Sequence, residues 1–373
     1  MTVSSQSLAH GAAGRALVEV ERALNGTGGW GEAKAAVQEA ARTVHASPDD
    51  CLYFGAPAVT FLLTCASADG RPRFAQAARA LDGHVRAAAR RKLTGFADGR
   101  VAFVDYDLFR GLVGLGALLL ARAPDGDELG EILVRLVALT LPLDRDGRTM
   151  PGWWVDHDPD PLLPTPGGHA NLGVAHGAAG ILALLSLAAR AGRSVPGQDA
   201  AIARLLEVYD RWQQDGPDGP WWPQWLTRDD LLGGRLAFAK GPGRPSWCYG
   251  AVGIARAVQL GAIATGDYAR QEAAEAALAA NLCDRQLDRL DGHGLCHGIA
   301  GVYQTAARAA LDARTPALGS RLPALAARLP DPRDPTHTDD GLLTGSAGIT
   351  LAVQTARRSA PPASNWDRCL LIT

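Results

Sequence analysis

A Gly-x-x-Gly pair that recurs in one register is the feature that most constrains how this 373-residue chain can fold. It begins at Gly11, Gly111, Gly177, Gly250, Gly298 and Gly345, with a degenerate copy at Gly55 whose closing glycine is Ala58. One copy would mean little among 43 glycines. Seven copies define a repeat, because each leads into an apolar run such as Ile181-Leu-Ala-Leu-Leu-Ser-Leu-Ala-Ala189 or Leu115-Gly-Ala-Leu-Leu-Leu-Ala121. Such a run reads as a buried helix, and the glycines at its start let the backbone turn and neighbouring helices approach closely.

Amphipathic stretches at 31–44, 73–89, 271–282 and 317–329 lie between these runs and read as outer helices. Seven alternations of apolar and amphipathic helices predict two concentric rings: an all-α fold, an α/α toroid of seven repeats. A toroid takes the whole chain, residues 1–373, as one domain, although length alone would allow two. The two longest intervals between repeats carry Pro/Gly-rich inserts, at 143–168 and 213–245. Trp153, Trp154, Trp221, Trp222 and Trp225 sit in them, and the expectation is that these rings line or cover one mouth of the toroid, packing on the body being the plainer alternative.

Composition removes several function classes. A formal charge of -2 and a pI near 6.5 leave no basic footprint for nucleic acid and no polybasic membrane patch. The first ten residues lack a secretory signal, and no unbroken apolar run reaches the roughly 18 residues of a membrane span. A cytoplasmic protein is expected, associated with membranes only through partners. Six cysteines in so long a chain are too sparse for a disulfide scaffold, and paired thiols in a reducing compartment lean towards metal or redox work.

The repeat register locates candidate chemistry. Immediately before each first glycine stand His10, Phe54, Arg110, His176, Tyr249, His297 and Thr344; one position earlier stand Ala9, Tyr53, Phe109, Ala175, Cys248, Cys296 and Leu343. All belong at helix N-termini, whose orphan N–H groups and positive dipole end favour thiolates. Cys248 and Cys296 fall in successive units, with His297 beside the second. Two sulfurs and one nitrogen suit zinc with a fourth position open, which is the pattern of a catalytic site. Two thiolates cancel the charge of Zn²⁺, so a third, incoming thiolate would stay electron-rich. His293 competes with His297, although Asp291-Gly-His-Gly reads as a turn. Cys51, Cys65, Cys283 and Cys369 read as structural.

A proton site is expected beside the metal. His176 occupies the helix-start slot of unit four, next to unit five, and histidines can move protons near neutral pH. Asp107, four residues before the unit-three glycine, is its candidate carboxylate partner, with Asp105 competing and a helix-capping role open to either. Arg244, four residues before Cys248, could steady developing oxyanion charge.

These residues carry a resemblance. Trp247-Cys-Tyr-Gly250, Cys296-His-Gly298, Ala175-His-Gly177, Tyr106-Asp-Leu108 and the terminal Trp366-Asp-Arg-Cys369 resemble the lanthionine synthetase C-like (LanC) cyclases of lanthipeptide biosynthesis, over essentially the whole chain. The resemblance implies a toroid with Zn²⁺ on Cys248, Cys296 and His297, active-site roles for His176 and Asp107, and Arg244 and Tyr249 beside the metal. It implies a precursor peptide with a leader, already dehydrated by a probable separate dehydratase, whose Cys thiols are added to dehydroalanine or dehydrobutyrine to form thioether rings. Residues 67–99 are short for the extra lobe some members insert there, and the absence of a dehydratase-like extension points to a stand-alone enzyme. Eukaryotic LanC-like proteins are linked to glutathione, so a zinc protein that binds or conjugates a thiol is the alternative. Toroidal glycosidases would need paired acids at the mouth, and prenyltransferases an acidic ligand and a diphosphate pocket; neither set is found.

Overall fold

The computed structural model of the protein describes residues 6–44, 47–95, 100–145, 147–159, 162, 164–237, 241–334 and 339–373. Parts of the stretches discussed above (residues 96–99, 146, 160, 161, 163 and 238–240) lie outside these, as do residues 1–5 of the N-terminal segment. The structure is mostly helical.

Each repeat glycine caps the N-terminus of a helix. In chain order these are Ala12–Asn25, Ala56–Cys65, Leu112–Arg122, Ala178–Arg190, Ala251–Thr265, Ile299–Asp312 and Ser346–Arg358, the inner helices of units one to seven. The second glycine of the pair has a steric cause. A Cβ at Gly14, Gly114, Gly180, Gly253, Gly301 or Gly348 would collide with the carbonyl oxygen six residues upstream, where the entering strand of chain folds against the first helical turn. Unit two, with Ala58 at that position, enters differently: Gly55 has φ +77°, whereas the other six capping glycines have negative φ.

Inner helices touch their neighbours in chain order, and the helix of unit seven touches that of unit one. The segments entering them repeat this order through backbone hydrogen bonds: Ala175 N–H to Cys248 O (3.1 Å), Cys248 N–H to Cys296 O (3.2 Å), Cys296 N–H to Leu343 O (2.8 Å), Leu343 N–H to Ala9 O (3.3 Å), Leu8 N–H to Tyr53 O (3.0 Å) and Leu108 N–H to Ala175 O (3.2 Å). Between units two and three the Tyr53 and Phe109 rings pack at 4.8 Å. The capped ends of all seven helices are thereby tied into one circuit, which fixes the relative height of every residue just upstream of a repeat glycine.

Outer helices pack on the first six inner ones: Trp30–Ala40, Ala75–Thr94, Asp127–Leu139, Gln198–Trp212, Tyr268–Ala280 and the short Leu322–Ala327. Expected helix 317–329 is thus reduced to a 3-10 turn, Gly319–Arg321, and two turns of α-helix. No outer helix follows the seventh inner one among the described residues. The chain ends instead in a 3-10 turn, Trp366–Leu370, and a buried tail. That segment is held by several units at once. Tyr53 Oη donates to Cys369 O (2.8 Å), Trp247 Nε1 to Leu370 O (2.9 Å), and Arg256 Nε to Ile372 O (3.0 Å). Asp367, fully buried, accepts from Arg308 Nε and Nη2 (2.6 and 2.7 Å) and from Gln304 Nε2 (2.6 Å).

The tryptophan-rich inserts are not an open lining. Trp153, Trp154, Trp221 and Trp222 are buried, and Trp222 Nε1 donates to Tyr209 O (2.8 Å). Packing on the body, the plainer alternative, is what the structure shows for these four rings. The segment directly after the first insert, His169–Asn171, pairs antiparallel with Trp225–Thr227 of the second, and the first insert folds its own hairpin from Leu143–Arg145 and Arg148–Met150.

Candidate functional site

Cys248 and Cys296 enter adjacent helices through the backbone bond between Cys248 N–H and Cys296 O, so their side chains cannot be far apart. Together with His297 they form a group whose ligand atoms all lie within 4.8 Å of one another. Bond lengths of about 2.3 Å to sulfur and about 2.0–2.1 Å to nitrogen fit one small divalent ion into such a group. His293 is not a member, and Gly292, at φ +86°, makes the turn expected there.

The electrostatics suit a cation. Cys248 is lowered to about 7 by the hydrogen bond from Cys296, against the opposing effect of burial, with help from Ser246, Arg244 and the Tyr249 backbone N–H. Cys296 is driven the other way, because its proton is held by Cys248 and because it is buried. The two shifts run in opposite directions because one thiol holds its proton against the other, and a bound cation would favour ionisation of both. Burial, then Arg244, depresses His297 and keeps its imidazole neutral, the form that coordinates metal.

The other thiols are all free; Cys51, Cys65 and Cys369 are buried, as expected of structural residues, whereas Cys283 is only partly buried. Burial pushes Cys51 up to about 11 and Cys369 up to about 12.

One unit away, His176 meets Asp107. Nδ1 lies 2.5 Å from Asp107 Oδ2, while Asp107 Oδ1 accepts from the backbone of Arg110 (2.6 Å) and Gly111 (2.9 Å). Asp107 thus takes the partner role with one oxygen, while the other closes the turn ahead of the unit-three helix, whose N-cap is Gly111 and has no side-chain cap bond. Asp105 faces elsewhere and caps the short helix Phe103–Tyr106 by accepting from Ala102 N–H (2.7 Å). With Nδ1 taken by the carboxylate, Nε2 is the atom left to the mouth, and the His176 side chain is 26% exposed.

Tyr249 is 5.9 Å from His176, ring to ring. Arg244 pairs with Asp291 at 2.9 Å on the rim. It is close enough to influence Cys248, Cys296 and His297 electrostatically. Sequence reasoning gave Asp291 only a turn. It also passed over Phe103, which stacks on His176 at 4.9 Å and 15°, and gave Phe109, 5.2 Å away, a slot but no role. Phe103 lies 73 positions from His176 in sequence and outside the glycine register, so nothing in the spacing marked it.

A closed circuit of helices carries at its capped end a His–Asp couple and a two-thiol, one-imidazole group that could hold a metal ion, which defines the class: a helical protein with a candidate metal centre. The family model for "Lanthionine synthetase C-like protein" matches residues 2–371, and the chain belongs to that family. Among curated proteins it is similar to the nisin biosynthesis protein NisC of Lactococcus lactis subsp. lactis, 25% identical over 220 residues. That alignment takes in 58% of this chain and 51% of the relative, so about half the relative's length is matched. Among solved structures it is similar to a nisin cyclase, with a TM-score of 0.84 at 20% identity over 100% of this chain and 93% of the other. At that identity the likeness is one of fold. No helix among the described residues is long and apolar enough to cross a membrane.

Proposed function

We propose that this chain is a zinc-dependent lanthipeptide cyclase, built as a single α/α-toroid domain of seven repeats over residues 1–373. Its substrate is a precursor peptide with a leader, dehydrated beforehand by a separate dehydratase in the cytoplasm. It adds the peptide's Cys thiols to dehydroalanine or dehydrobutyrine, forming lanthionine and methyllanthionine rings. The carrying observation is that the Cys248–Cys296–His297 group and the His176–Asp107 couple stand in adjacent slots of one circuit. Membership of the family and the nisin biosynthesis relative support the same reading.

Cys248, Cys296 and His297 would hold the ion. Bound there, zinc would lower the pKa of the peptide thiol while leaving its sulfur nucleophilic. The chain's own residues account for the rest. Addition of sulfur to Cβ of the alkene places an electron pair on Cα and the adjoining carbonyl. With Asp107 holding Nδ1–H, Nε2 is the atom that can take up the proton the peptide thiol gives up and, the ring then an imidazolium paired with Asp107, deliver it to Cα. Asp107 is itself anchored by two backbone N–H groups, so the imidazole is held on a rigid support. Arg244 offers positive charge to the developing enolate oxygen from its place on Asp291, and Tyr249 walls the space between the two groups.

Incubating purified protein with dehydrated precursor peptide and counting free thiols tests the proposal. Loss of one peptide thiol per ring supports it. Full retention of the peptide thiols, with consumption of glutathione instead, would favour the alternative of a LanC-like zinc protein that conjugates a small thiol.

A further inference from the structure

His176 is fixed at one atom by Asp107, yet a single hydrogen bond leaves the imidazole free to swing about it. Stacking supplies the second constraint. Phe103 lies nearly parallel to the ring, at 4.9 Å and 15°. Phe103 is in turn gripped edge-on by two further imidazoles, His157 at 4.6 Å and 90° and His169 at 5.4 Å and 89°. The Phe103 backbone N–H also points to His157 Nε2, at 3.4 Å.

Each of these supports is itself secured. His169 is fully buried; its Nδ1 lies 2.9 Å from His157 O, its backbone exchanges hydrogen bonds with Val155, and its strand pairs with Trp225–Thr227 of the second insert. Burial lowers His169 to about 4, so it stays neutral and acts as a packing ring. His157 Nδ1 lies 2.9 Å from Asp158 O. A continuous stack thus runs from the inserts through His157 and His169 to Phe103 and from there to His176. Asp107 and the inserts approach the same imidazole independently.

We propose that Phe103 is a positioning residue that sets the plane of the His176 ring, with His157 and His169 as its backing, and that the inserts thereby decide which face of the substrate's α-carbon receives the proton. The proposal rests on the reading of His176 as proton donor. The chemistry explains why a plane matters: once the sulfur–Cβ bond has formed, Cα is flat, and the face from which Nε2–H approaches fixes the configuration of the new centre. Asp107 alone fixes where the proton is held. Phe103 fixes the direction from which it comes.

The test uses the whole protein and two readouts. In the first, the His176 ring protons are followed by NMR, assigned by their disappearance in His176→Asn. Phe103→Leu should shift them, since the stacked ring and its shielding are lost, and His157→Ala should shift them in the same direction by less. His157→Phe, which keeps a ring at that position, should leave them near the wild-type position. In the second, products are hydrolysed and the α-carbon configuration of the thioether residues is measured. Phe103→Leu should give a mixture of epimers and slow ring closure by roughly ten- to a hundredfold, with KM little changed and metal content unchanged. Unmoved His176 resonances, or a single epimer at the wild-type rate, in Phe103→Leu would overturn the inference. Should that variant not fold, the His157→Ala and His157→Phe pair decides, because equal behaviour of the two would also overturn it. Wild-type products from His176→Asn would instead sink the underlying proton-donor reading, while the resonance shifts would still report whether the stack holds the ring.

Discussion

The cysteines at the two ends of the inner helices differ more than their common chemistry suggests. Cys248 and Cys296 stand where chain enters a helix, and Cys248 is lowered to about 7 by its partner thiol. Cys65 is the last residue of the unit-two helix, and Cys369 lies in the buried C-terminal turn. Desolvation pushes the Cys65 thiol well up and Cys369 to about 12. Place in the repeat alone does not decide this, since Cys51 also precedes an inner helix yet is buried and pushed up to about 11; what sets Cys248 apart is a second thiol beside it. One end of the circuit carries the candidate site. The other is core, filled by the segment around Asp367.

The largest break of that comparison comes at the capped end. Cys248→Ala or Cys296→Ala should abolish both stoichiometric zinc and ring formation while leaving the far-UV circular dichroism spectrum of the helices essentially intact. A full equivalent of zinc in both variants would contradict the ligand assignment.

Next in size is His176→Asn. It should retain the metal but lower the rate of ring closure by roughly 10²–10⁴-fold, the usual contribution of a positioned acid, as measured by single-turnover loss of peptide thiols. A wild-type rate would remove the histidine from the chemistry.

The filled end should respond in stability alone. Asp367→Ala strands the Arg308 guanidinium, whose side chain is 12% exposed, and leaves Gln304 without its partner. Breaking such a buried pair costs about 3–5 kcal/mol. Denaturant melts should show this loss while zinc per folded molecule stays at the wild-type value.

The smallest effect is a difference in labelling. In metal-free protein, alkylation of the 248/296 pair should rise as pH increases through about 7, because the lowered Cys248 thiol ionises there. Cys369, at about 12, should remain unlabelled over the same range until the protein unfolds. Peptide mapping after timed alkylation checks both, and added zinc should protect only the first pair.

Much of the fold was legible because it repeats. Gly-x-x-Gly reports a collision between a Cβ and a carbonyl oxygen, a constraint local enough to be written into every unit and visible even through the Ala58 exception. The cluster of Cys248, Cys296 and His297 was legible for the same reason, since equivalent slots lie at equal heights. The pairing of His176 with Asp107 also followed from adjacent units. What escaped lies outside the register. Three-residue strands such as His169–Asn171 carry too little pattern to announce a partner 56 positions on, whereas packing of Trp153, Trp154, Trp221 and Trp222 on the body is the plainer of the two readings their Pro/Gly-rich surroundings allow. Phe103 and the C-terminal fill depend on contacts that only the closed ring creates.

X-ray absorption at the zinc edge, on protein purified without added metal and without chelator, tests the central claim most directly. The expected result is one zinc per chain with two sulfur ligands and one imidazole nitrogen from the protein, and a third sulfur on addition of a thiol-bearing dehydrated peptide. No stoichiometric zinc, or a metal whose shell lacks the two protein sulfurs, would contradict it.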